Sequence, residues 1–98
     1  MAETESETPK KPISIYDMLA VFIQEMSELS WQKLGLHRDL MTGLTEVNLV
    51  EAKVAIDLTA QLAQHLDSQL DEEDKRKIHS LVRDLRINYV QKSSGASD

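Results

Sequence analysis

Apolar residues in this chain recur at intervals of three and four, not two, which predicts helices and no strands. Over about residues 14–34, Ile15, Met18, Leu19, Phe22, Met26 and Leu29 trace one stripe, the face expected to meet the core. Tyr16, Ala20, Ile23 and Leu34 widen it, Trp31 lies near its edge, and Asp17, Gln24, Glu25, Glu28 and Gln32 occupy what remains. A helix this broadly apolar needs neighbours on more than one side. Ser14 and Asp17 have capping-box spacing, and Ile13 and Met18 sit where a hydrophobic staple would. Gly35 suits a left-handed C-terminal cap.

A second helix is expected over about residues 48–69, with Asn48 as its N-cap and Glu51 three residues on. Leu49, Ala52, Ile56, Thr59, Ala63, Leu66 and Leu70 form a coiled-coil-like seam. Val50, Val54, Leu58 and Leu62 form a second stripe on another side, which makes this helix central or leaves it a face for another subunit. Ala52, Ala55, Ala60 and Ala63 permit close helix approach. The third helix, about 71–92, starts at a capping Asp71 with an acidic first turn favoured by the helix dipole. Its buried stripe is Ile78, Leu81, Val82, Leu85 and Tyr89. Asp71–Lys75, Glu72–Arg76 and Glu73–Lys77 are spaced as ion pairs along its surface. Only a few residues separate the second and third helices, so they form an antiparallel hairpin. The fold class that follows is an all-α three-helix bundle with helix two central.

The connection over residues 35–47 is long at 13 residues, where two to eight are usual. Leu36, Leu40, Met41, Leu44 and Val47 make it too apolar for a free loop, so it is expected to fold back over the open end of the core. Residues 1–12 and 93–98 have nothing apolar enough to offset ordering and read as disordered tails, leaving residues 13–92 as a single domain.

Composition narrows the function classes. A chain of 98 residues has room for one small core. The absence of cysteine excludes disulfides and every thiolate site. No signal peptide or membrane span is legible, so a cytoplasmic location without membrane attachment is expected. The net charge of −6 disfavours a general nucleic-acid binder. That charge is uneven, however: residues 71–98 are neutral, with six acids and six bases. On a helical wheel Lys75, His79, Arg83 and Arg86 fall along one side of helix three. They form a candidate interaction stripe for an acidic protein or RNA, set against the plainer reading of a solvated face.

No catalytic constellation emerges. His37, His65 and His79 have no metal-ligand spacing. There is no nucleophile-elbow pattern and no glycine-rich phosphate loop, the three glycines being Gly35, Gly43 and Gly95. The expectation is therefore no catalytic residues, no metal and no cofactor.

At the start of the second helix, Thr42-Gly43-Leu44-Thr45-Glu46-Val47-Asn48-Leu49-Val50-Glu51-Ala52-Lys53-Val54-Ala55-Ile56-Asp57-Leu58 resembles a bacterial family of short proteins whose domain has no known function. Its members carry a similar Gly, Glu-x-Asn-Leu, Ala-Lys and Ile-Asp-Leu pattern. Leu34-Gly35-Leu36 and Leu85-Arg86-Ile87-Asn88-Tyr89-Val90 also resemble that family, and the likeness covers about residues 15–91. The resemblance implies a small all-helical cytoplasmic protein and supplies no activity. Packing, capping and turn geometry account for most of the matching residues. Asp57 is the exception, and it is expected to form a structural polar pair with Lys53 or with Arg86 across the hairpin. The function expected is that of a small helical interaction protein, self-associating as a homo-oligomer or binding another protein. The alternative is an RNA- or ribosome-associated accessory protein that uses the helix-three stripe.

Overall fold

The computed structural model describes residues 11–96, and these form three helices with no strand beyond one isolated bridge. Helix α1 spans Ile15–Lys33, α2 spans Leu49–Leu66, and α3 spans Glu72–Ala96. A short 3-10 turn, Asp67–Gln69, continues α2 towards α3. Helix α1 packs on α2 and α2 on α3, while α1 and α3 meet only marginally, so α2 is the middle of an all-α three-helix bundle. No helix among the described residues is long and apolar enough to cross a membrane.

Local chemistry sets the boundaries. The Ser14 hydroxyl accepts from the Tyr16 amide at 3.2 Å, Asn48 Oδ1 from Glu51 at 3.1 Å, and Asp71 Oδ1 from Asp74 at 2.8 Å. Each cap satisfies an amide that the first helical turn leaves without a partner. At the end of α1, the Leu36 amide donates to the Trp31 carbonyl and the Gly35 amide to that of Gln32, both at 3.0 Å. With Gly35 at φ +79° this is a Schellman motif. Helix α3 runs four residues past the expected end at 92, through Ser93, Ser94 and Gly95 to Ala96, into the stretch read as a second tail. Adding residues to an existing helix is far easier than nucleating one, so weak helix formers extend it. Residues 1–10 of the expected N-terminal tail, and residues 97 and 98, lie outside the described residues.

Two small apolar clusters tie the helices together. Ile23 of α1, Ala63 and Leu66 of α2 and Val82 of α3 form one, with Leu19, Ile78 and Leu81 against it. Leu34, just past α1, joins Ala52 and Ile56 of α2 and Leu85 of α3 in the other, with Trp31, Leu49 and Tyr89 at its edge. Both α1 and α3 therefore run antiparallel to α2, and the seam expected along α2 is the one buried.

The face of α1 differs from the expectation. Ser27, Ser30, Ile23 and Leu34 are buried, whereas Ile15, Phe22 and Leu29 of the apolar stripe are exposed, Phe22 by 48%. The reason lies in α2, whose buried positions Ala52, Ala55, Thr59 and Ala63 are small and draw the helices close. Serines fit that gap better than leucines, and each buried hydroxyl returns to its own helix. Ser27 donates to the Gln24 carbonyl at 2.9 Å, Ser30 to Met26 at 2.8 Å, and Thr59 to Ala55 at 2.7 Å. No buried side-chain polar atom among the described residues lacks a partner, so burying hydroxyls here carries little penalty.

The connection from α1 to α2 also departs from expectation. It does not bury its apolar residues: Leu40 is 79% and Met41 92% exposed, and Leu36, Leu44 and Val47 are exposed too. Its own hydrogen bonds order it. Asp39 Oδ1 accepts from the Met41 amide at 2.7 Å and the Thr42 amide at 3.0 Å, the Gly43 amide donates to the Asp39 carbonyl at 2.8 Å, and the Asp39 amide donates to Leu44 at 2.9 Å. The base is closed by the antiparallel Leu34–Val47 bridge and by the Asn48 amide donating to the Lys33 carbonyl at 2.7 Å.

Candidate functional site

Two surfaces of the bundle are unusual for a small helical protein, and both use α2. The first combines α1 and α2. At about 100° per residue, Ile15, Met18, Phe22, Met26 and Leu29 share a side of α1 turned roughly a quarter-turn from its buried face. Val50, Val54 and Leu58 share the corresponding side of α2. Because the helices are antiparallel, both stripes fall on the side away from α3. The Lys33–Glu51 ion pair, 3.1 Å long, spans the two helices on that same side. The hydrogen bond that Lys33 donates to Glu51 holds its ammonium above its usual pKa. Glu25 is exposed within the α1 stripe, and Leu40, Met41 and Leu44 stand exposed on the ordered connection.

Asp39 is what orders that connection. The Met41 and Thr42 amides aimed at its carboxylate hold its pKa below the ordinary value. Nearby, His37 Nδ1 lies 2.9 Å from Glu28 Oε1, and its ring sits against Trp31 with centroids 5.9 Å apart. Gln32 is buried between Glu28, which it reaches at 3.2 Å, and the Leu40 amide, which donates to it at 3.3 Å. These contacts pin the connection to α1 and explain how a glutamine comes to be buried. The Asp39-x-x-Thr42-Gly43 run carries the local signal for this turn, which the apolar residues of the connection outweigh in the sequence alone.

The second surface is a groove of about 820 Å³ between α2 and α3, with no α1 residue in its lining. Ala60 and Ala63 of α2 and Val82, Ile87 and Val90 of α3 make it apolar, and His79, Arg83 and Arg86 stand along its α3 edge. Three of the four stripe residues therefore share one groove. Their partners divide them: His79 Nε2 is 2.8 Å from Asp67 Oδ1, Lys75 reaches Glu72 at 3.7 Å, and Arg83 lies 3.3 Å from the Ser80 hydroxyl and 3.9 Å from Asp84. Arg86 has no ion-pair partner among the described residues. Of the other surface pairs read from spacing, Glu73–Lys77 stands at 3.8 Å. Asp71 caps the helix, and Lys75 turns to Glu72.

Asp57 accepts from Lys53 Nζ at 2.9 Å, and that bond raises the lysine pKa. Arg86, the other partner considered for Asp57, lines with both of them a smaller cavity of about 250 Å³ that also touches Tyr89. Among the described residues no three His, Asp or Glu side chains converge as a metal site would require.

The profile of a family described as "Domain of unknown function (DUF1844)" matches residues 16–91, and the chain belongs to that family. No match is found among curated proteins or among solved structures.

Proposed function

We propose that this member of a family without a known function works in the cytoplasm by presenting helical surfaces to other protein chains, first of all to a second copy of itself. The observation that carries the proposal is the continuous apolar side of α1 and α2, with Ile15, Phe22, Leu29, Val50, Val54 and Leu58 all exposed. Exposed apolar area of this extent marks an interaction site. Its apolar share suits a twofold interface, where each patch meets its own image, with the Lys33–Glu51 pair already neutralised within the protomer. Two α1–α2 pairs meeting this way form a four-helix arrangement with a conventional apolar core. No reaction is assigned to the chain.

Sedimentation equilibrium tests the proposal. The wild-type chain should associate at micromolar concentration, while Phe22→Asp and Leu58→Asp should be monomeric with unchanged helix content by circular dichroism. A wild-type chain that stays strictly monomeric at high micromolar concentration overturns the self-association.

A further inference from the structure

The groove between α2 and α3 lies away from the α1–α2 face and needs an occupant of different chemistry. We propose that it docks a short amphipathic helix of a partner protein, one that carries acidic side chains along one edge. The proposal stands independently of self-association.

Shape argues for a helix. The groove follows α3 from His79 to Val90, about 17 Å at the helical rise, which matches three turns of a ligand helix. Ala60 and Ala63 project only a methyl group each, so a ligand backbone can come within the ordinary 8–10 Å of α2. Val90 is 60% exposed and Ile87 nearly half, so an apolar stripe laid there removes area from water on both sides.

Charge selects the edge of that helix. Arg83 and Arg86 stand on the α3 edge, with Arg86 lacking an ion-pair partner among the described residues and Arg83 held by a 3.3 Å bond to the Ser80 hydroxyl and a long contact to Asp84. The acid nearest the groove, Asp67, is already engaged by His79. Carboxylates on the ligand would thus meet the unpaired Arg86 guanidinium and the donors that Arg83 has to spare, whose forked geometry suits them. A nucleic acid is a poorer fit, because the floor is apolar and contributes no aromatic platform, and a chain of net charge −6 repels a polyanion.

The test uses two capped 14-residue peptides with leucine at positions i, i+3, i+4 and i+7, one edged with glutamate and the other with lysine. A short single-stranded RNA serves as a third probe. Titrations follow amide chemical shifts in wild-type protein and in the association-deficient Phe22→Asp variant. The glutamate-edged peptide should bind roughly tenfold or more tightly than the lysine-edged one, with shifts centred on Ala60, Val82, Ile87 and Val90 in both proteins. Arg83→Glu/Arg86→Glu should invert that preference, and Val90→Asn should weaken both peptides. Equal binding of the two peptides, shifts confined to the α1–α2 face, no binding at millimolar peptide, or preference for RNA would each overturn the proposal.

Discussion

Helix α1 has two long faces, and the less apolar one is buried. On one side Ser27 and Ser30 are buried, with Ile23 and Leu34 placed in the two apolar clusters. On the other, Ile15, Phe22 and Leu29 meet solvent. Hydrophobicity alone ranks these faces in the wrong order. What decides is complementarity: a seam of alanine and threonine admits small residues at close range and excludes large ones, because interiors are packed like crystals. The larger face is left over and stays exposed to solvent.

Substitutions at matched sites break this comparison or sharpen it. The largest effect is expected at Leu34, which is fully buried between α2 and α3. Leu34→Ala should lose about 2–5 kcal/mol in urea denaturation, through lost burial and a residual cavity. Phe22→Ser, by contrast, should change the stability of the dilute monomer by no more than about 0.5 kcal/mol. A comparable loss at both positions would mean that the exposed face supports the protomer itself. Ser30→Leu follows in size. It makes the buried face more apolar yet should destabilise by about 1–3 kcal/mol, since no room exists for the added atoms. A stabilised Ser30→Leu would show that the close approach of α1 to α2 is not what selects serine.

The smallest effect concerns the connection, where polar geometry outweighs hydrophobicity. Its order rests on the ionised Asp39 carboxylate, whose pKa is lowered by the Met41 and Thr42 amides. A depressed folded pKa contributes stability that is complete above the ordinary carboxylate value of about 4 and fades as pH falls through the lowered one. Amide exchange at Met41 and Thr42 should therefore be steady from neutral pH down to about 4 and accelerate below it, relative to the intrinsic rate. Asp39→Asn, which keeps the acceptor, should remove that pH dependence.

Features decided by neighbours in sequence were legible from sequence. Asn48, Asp71 and Gly35 cap their helices as their types suggest, and the Ala52–Ile56–Thr59–Ala63–Leu66 seam is the buried one. Features decided by a partner surface were not. The period of α1 reveals one broad apolar stripe but not which part of the helix meets α2, because that choice depends on the small side chains of another helix. The connection misled for a related reason: Leu40 and Met41 suggested burial, while Asp39, Thr42 and Gly43 shaped the turn. For the groove, the wheel of α3 placed His79, Arg83 and Arg86 together. Its apolar floor needs Ala60 and Ala63 from α2, which no single-helix pattern supplies.

The closed base of the connection makes its tip a natural grafting port. With Leu34 bridged to Val47 and Lys33 bonded to Asn48, the ends of the connection are fixed on both sides of Met41. Lengthening a loop whose ends are already fixed is cheap, each doubling adding only about 0.6 kcal/mol of closure entropy. A peptide tag spliced between Met41 and Gly43 would ride on the bundle without entering it.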